Sequence, residues 1–94
     1  MIDLKPVGGG KINITGEATI SEVEVLYEKL TSILDGIQEP LFIDLDELTD
    51  IDTAGAQVFI ALRKTLGSNR VTFGNASDAV HRALQVAGLE PLLF

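Results

Sequence analysis

The chain has 94 residues, a net charge of −7, 46% apolar and 5% aromatic residues, and no cysteine. That length predicts one domain, spanning residues 1–94, around a single core of Val, Ile, Leu and Ala. The absent thiols exclude disulfides, thiolate metal ligands and cysteine nucleophiles. The acidic balance, with no basic cluster larger than Arg63-Lys64, argues against nucleic acid and against a polybasic membrane patch. No apolar run approaches the roughly 18 residues that span a bilayer, and no signal-type leader is present. The expectation is a cytoplasmic protein without membrane insertion, whose acidic surface meets other proteins.

Along the chain, Gly8-Gly9-Gly10 separates residues 2–7 from residues 11–15 and reads as a hairpin turn. It is not a phosphate loop, since no helix follows and no Gly-Lys-Ser/Thr ending is present. Residues 11–15 alternate polar and apolar, as a strand with one buried face does. Ser21 and Glu24 form a capping box that opens the first helix. Val23, Leu26, Leu30, Ile33 and Leu34 then recur at helical spacing until Gly36. Residues 41–45 read as a central strand, residues 54–66 as the second helix, and residues 70–73 as another strand. A third helix starts at Ser77 or Asp78, carries Val80, Leu84 and Ala87 on one face, and stops at Gly88. Residues 92–94 add a last short strand or an apolar tail. The order β-β-α-β-α-β-α predicts an α/β fold with a mixed sheet of four to five strands. Right-handed crossovers put the helices mainly on one face. The loops at the carboxyl ends of the parallel strands, including residues 46–52, then gather at one edge.

Candidate chemistry is sparse. The single histidine, His81, lies mid-helix, and no Gly-x-Ser-x-Gly elbow supplies a nucleophile. Asp44, Asp46, Glu47, Asp50 and Asp52 crowd a short span, and hard cations favour carboxylates. The run lacks the Asp-x-Asp-x-Asp-Gly spacing of a calcium loop and reads as solvated acidic surface, with no metal site. A receiver-type phosphoacceptor aspartate would need a lysine that does not follow here. No dinucleotide or Walker motif is present, so no cofactor and no enzymatic activity are expected.

The segment Ile51-Asp52-Thr53-Ala54-Gly55 is the most informative. It sets a hydroxyl where an acidic loop becomes a helix with free backbone N–H groups. The hydroxyl suits a modification site, a contact point or a helix cap. Asp52 and Thr53 compete for the cap, worth about 1 kcal/mol. A phosphate on Thr53 would meet the positive helix end, opposed by Asp50 and Asp52. On a helical wheel, Val58, Ala61, Leu62 and Thr65 group with Ala54, extended by Phe59 and Leu66, as the face toward the sheet. Thr53, Ala56, Gln57, Ile60 and Lys64 fall on the opposite side, where Ile60 marks a partner contact.

At these residues the chain resembles the STAS domain, the fold of bacterial anti-sigma factor antagonists. Thr15-Gly16-Glu17 is similar to the family's Gly-Glu signature after the second strand. Residues 42–55 match its strand, acidic loop and Asp-Ser/Thr-x-Gly motif, and residues 80–89 match its last helix and Gly-Leu ending. The resemblance implies a STAS-type sheet and a small signalling protein without catalysis. It implies a partner, a serine/threonine kinase that is also an anti-sigma factor, and phosphorylation of the hydroxyl after the motif acid, which abolishes binding. Carried over, that acceptor is Thr53. Asp52 is the motif acid, and the docking surface comprises Asp50, Asp52, Thr53, Ala56, Gln57, Ile60 and Lys64. The implied role is transcription regulation by partner switching. Three departures from the commoner pattern stand out: Thr53 replaces Ser, Ala54 replaces a second hydroxyl, and Ala56-Gln57 replaces Leu-Gly. The Asp-Thr-Ala-Gly form is closer to a subgroup of chemotaxis and other signalling proteins. Another Asp-Thr-x-Gly subgroup comprises accessory subunits of phospholipid-transport ATPases.

Overall fold

A computed structural model describes residues 1–35, 40–67 and 69–94. Two strands open the chain, β1 (Asp3–Gly8) and β2 (Lys11–Ala18), paired antiparallel. Helix α1 (Val23–Leu34) leads to β3 (Leu41–Asp44), β4 (Leu48–Ile51) and α2 (Thr53–Leu66). Then come β5 (Val71–Gly74), α3 (Asp78–Val86) and the short α4 (Glu90–Leu93). The five strands form a mixed sheet in the order β1-β2-β3-β5, with β4 also on β2. The expected α/β fold is observed, with two additional elements, β4 and α4. Among the described residues, no helix is long and apolar enough to cross a membrane.

β2 organises the sheet by changing partners along its length. Residues 11–13 pair parallel with β3, and residues 16–18 pair parallel with β4. The switch falls at Gly16, where the register shifts and φ is +92°. A Cβ there would lie 2.0 Å from the Met1 carbonyl oxygen. Glycine is therefore demanded twice, by backbone angle and by the chain crossing it.

Alternation along the strands sorts residues to the two faces. Ile12, Ile14, Leu41, Ile43, Val71 and Phe73 are buried, whereas Lys11, Asn13, Phe42 and Thr72 between them are less so. The helices pack on the apolar face, where Leu26, Leu30, Phe59, Val80 and Leu84 complete the core. Phe59 and Phe73 meet with ring centroids 5.3 Å apart at 53°, a tilted pair bridging α2 and β5.

Several expectations require correction. Ser21 and Glu24 do not form a capping box. Helix α1 starts at Val23, its N-cap Glu22 makes no side-chain cap, and the Ser21 hydroxyl lies 3.3 Å from that of Thr19. Residues 19–22 instead close a turn, Glu22 N–H to Thr19 O, which aims the Ile20 N–H toward α2. Part of the acidic loop is a strand: Leu48 and Ile51 of β4 are buried while Thr49 and Asp50 face out. Residues 92–94 are not a strand. Residues 90–93 make a helical turn whose Pro91 occupies a position that needs no N–H partner. That turn is held to α3 by His81 Nδ1 and Glu90 Oε2, 2.7 Å apart, and to α2 by Arg63 donating to the Leu92 carbonyl. Ala87, expected on the apolar face of α3, is exposed. Gly36 lies outside the described residues.

The wheel of α2 is also rotated from its expected setting. Gly55, Ala56, Phe59 and Ile60 are buried, Ala61 and Thr65 are exposed, and Ala54, Val58 and Leu62 are half-buried. Apolar residues lie nearly all round this helix, so periodicity alone did not single out the core stripe. Phe59→Ala should remove the aromatic bridge and destabilise the protein by about 3–5 kcal/mol. Urea unfolding followed by circular dichroism checks this, and a loss below about 1 kcal/mol would contradict the packing described.

Candidate functional site

The start of α2 is fixed by one carboxylate. Asp52 is the N-cap, with extended backbone (φ −120°, ψ −176°), and its Oδ1 accepts the Gly55 N–H at 2.9 Å. Its Oδ2 accepts the Ile20 N–H at 2.8 Å. The Asp52 backbone N–H donates to the Ala18 carbonyl at 3.1 Å. Asp52 thus ties the end of β2, the following turn and the helix start together. The competition for the cap is settled in its favour.

Gly55 meets the same strand end. A Cβ on it would lie 1.8 Å from the Ala18 carbonyl oxygen, so the first turn of α2 can sit this close to β2 only without a side chain. The spacing Asp52-x-x-Gly55 is therefore structural at both ends. Thr53, between them, is exposed at the first helical position. Among the described residues its hydroxyl has no hydrogen-bond partner. The neighbouring Thr53 and Ala54 N–H groups belong to the first turn, which has no intrahelical acceptors.

Thr53 opens onto a groove of about 640 Å³ between the α2 start and α3. Ile51, Ala79, Arg82, Ala83 and Val86 contribute to its walls. Val86 is 85% exposed, and Ile20, next to the Asp52 bridge, is 70% exposed.

The predicted docking residues separate into two groups. Asp50, Thr53, Gln57 and Lys64 are exposed, and Asp52 is partly so. Ala56 and Ile60 are buried, at 0% and 3% exposure, and cannot present a contact surface. Ile60 is placed inward because the α4 turn reaches α2 beside it, with Leu92 sharing a cleft with Ile60, Arg63 and Lys64. Sequence reasoning missed Ile20, Arg82 and Val86. Their signal was Val86 lying off the Val80–Leu84 stripe, and Ile20 standing alone between Thr19 and Ser21.

The acidic residues do not converge as a unit. Asp44 is buried, and Asp50 accepts its neighbour's N–H from Ile51. Asp44 Oδ1 accepts the Asp46 N–H at 3.0 Å, and Oδ2 lies 3.2 Å from Lys11 Nζ. Burial pushes the Asp44 carboxyl up, but the Asp46 N–H and the Lys11 and Asn75 side chains outweigh it, leaving it below its ordinary range. Among the described residues, no group of three or more His, Asp or Glu is placed to hold a metal ion.

The sequence family described as Mlab, STAS domain, matches residues 5–93. No curated protein matches. The chain is structurally similar to the anti-sigma factor antagonist SpoIIAA in its unphosphorylated form, with a TM-score of 0.70 and 23% identity, covering 100% of this chain and 86% of the other. It is also similar to the Bacillus cell fate determinant SpoIIAA in the phosphorylated form, with a TM-score of 0.62 and 21% identity, covering 100% and 89%. An uncharacterized DUF3478-family protein from Shewanella loihica with a SpoIIAA-like fold gives a TM-score of 0.50 at 22% identity, covering 94% and 76%. At these identities the likeness concerns the fold.

Gly55→Ala should destabilise the protein by about 1–3 kcal/mol through overpacking, although alanine is favoured in helices by about 1 kcal/mol. A stabilised variant in thermal unfolding would refute the close approach. For Asp44, the lowered carboxyl contributes stability above its unfolded value, and this is lost as pH falls through the folded value. Asp44→Asn should therefore lower stability at neutral pH and flatten the acid limb below about pH 4. Urea midpoints across that range measure both effects, and an unchanged acid limb would contradict them.

Proposed function

The chain belongs to the STAS domain family, and we propose that it is a non-enzymatic signalling module that binds a protein partner through the edge around Thr53. The proposed mechanism is anti-sigma factor antagonism, switched by phosphorylation of Thr53 by a serine/threonine kinase that is itself the anti-sigma factor. One observation carries this reading. Asp52 and Gly55 are consumed by the fold, whereas Thr53 between them is exposed and unbonded beside an apolar groove.

The physics of the modification fits a switch. A phosphate adds about −1.5 to −2 charges at neutral pH. On Thr53 it would meet the positive end of α2 and its unbonded N–H groups, which favour an anion there. The nearest carboxylate, Asp52, already has a donor on each oxygen, which blunts its repulsion. Phosphorylation is therefore compatible with the folded domain, while it places charge at the mouth of a groove that a partner must desolvate. SpoIIAA, a fold relative, has been solved in both unphosphorylated and phosphorylated forms, which supports the reading by analogy. The docking surface comprises Asp50, Asp52, Thr53, Gln57 and Lys64, extended by Ile20 and Val86.

A second reading makes the chain an accessory subunit of a chemotaxis complex or a phospholipid-transport ATPase. The Asp52-Thr53-Ala54-Gly55 form of the motif favours it, since that form resembles those subgroups, and the matching family carries the Mlab description. Both readings share one surface and differ in the partner.

Intact mass after incubation with cognate kinase and ATP should rise by one phosphate, and the increment should vanish in Thr53→Ala. Thr53→Asp and Val86→Glu should each weaken partner binding about tenfold or more in calorimetry, with unfolding unchanged. Normal binding by both variants would sink the docking assignment, and copurification with a transport ATPase would select the second reading.

A further inference from the structure

A second concave surface lies on the other side of α2. We infer that the cleft between α1 and α2 is a seat for a cationic amphipathic helix of a protein partner. The cleft has a volume of about 390 Å³, and its floor is apolar, built from Leu30, Leu34, Val58, Leu62 and Leu66. Tyr27, 62% exposed, stands at its edge. The five exposed positions Tyr27, Thr31, Gln57, Ala61 and Thr65 line the opening, so the apolar floor is reachable from outside.

The rim decides the occupant. Glu24 and Glu28 of α1, and Asp35 capping its end, fall by helical spacing on one strip beside Thr31, at i, i+4 and i+11. All three are exposed, and among the described residues none is in an ion pair. On α2, Gln57 lines the opposite edge, and Lys64 lies beyond it toward the α4 turn. Three carboxylates against one ammonium give the cleft a net negative border, on a chain already at −7. A second copy of this chain would bring acid against acid, and a fatty acid or anionic lipid headgroup would meet the same repulsion. A helix with an apolar stripe flanked by Lys or Arg satisfies both floor and rim. The 12 residues of α1 extend about 18 Å, enough to seat about three turns of such a helix with anchors at i, i+3 or i+4, and i+7.

This inference does not rest on Thr53. The Thr53 groove opens toward α3, whereas this cleft faces α1. The test is a titration of isotope-labelled protein, followed by NMR, with a synthetic peptide of about 14 residues carrying leucine at helical spacing and lysine elsewhere. Amide shifts should centre on Tyr27, Thr31, Ala61 and Thr65. Ala61→Lys should weaken binding about tenfold or more, with an unchanged melting curve. The pair Glu24→Lys and Glu28→Lys should weaken it and reduce its salt dependence. Thr53→Asp should leave it unaltered, so failure here and failure of the Thr53 switch are separately visible. The proposal is overturned if shifts centre on Thr53 and Val86 or spread evenly over the acidic surface. It is equally overturned if Ala61→Lys binds normally, if a glutamate-for-lysine peptide binds as well, or if dodecanoate or self-association perturbs these residues in place of the peptide.

Discussion

The two oxygens of the Asp52 carboxylate hold apart two demands that the rest of the fold must meet together. One oxygen ends α2 and the other holds the turn after β2. The bridge works only because Gly55 lets the helix approach the Ala18 carbonyl. From this junction follow the placement of the α2 start against the end of β2 and the exposure of Thr53. A helix cap ordinarily contributes about 1 kcal/mol. Here its larger effect is positional, since the same group determines where two segments far apart in sequence come to rest.

α2 is divided into sectors by what covers each. Gly55, Ala56 and Phe59 face the sheet, and Ile60 lies under the α4 turn. Val58, Leu62 and Leu66 line the cleft against α1, and Thr53, Gln57 and Lys64 remain in solvent. This arrangement explains how a helix apolar on most sides can also present a polar, exposed edge. The two grooves beside it differ in character: one is capped by a hydroxyl and faced by Arg82, the other is bordered by carboxylates.

Legibility in the sequence followed the range of the forces involved. The hairpin glycines, the Ser77 cap and the Asp52 cap answer to local backbone needs, and these were readable; the demand for Gly55 is tertiary, set by the Ala18 carbonyl. β4 was read as loop because its two middle residues, Thr49 and Asp50, are polar and only its ends are buried; its pairing with β2 is a tertiary fact. The core face of α2 was misplaced because Ala54 to Leu62 offers two apolar arcs, and which one faces the sheet depends on where α1 and α4 lie. The capping box of α1 failed for a similar reason, as Asp52 claims the turn that precedes it. Of the candidate site, the placement of Thr53 and its flanking acid at the helix start was legible. Ile20 and Val86 were not, since single exposed aliphatic residues are ordinary on any surface.

The bridge from Asp52 to Ile20 spans 32 positions, and the β2–β4 pairing beneath it is comparably non-local. Such contacts close late, after the entropy of the intervening loop has been met. An incompletely folded chain therefore carries the motif as sequence but not as shape: its helix start is unanchored, and the groove beside Thr53 does not yet exist. A partner that docked at this edge, as proposed, would read the completion of folding at the same time. Under that proposal a nascent or damaged copy would be silent by construction, without any separate device to withhold it.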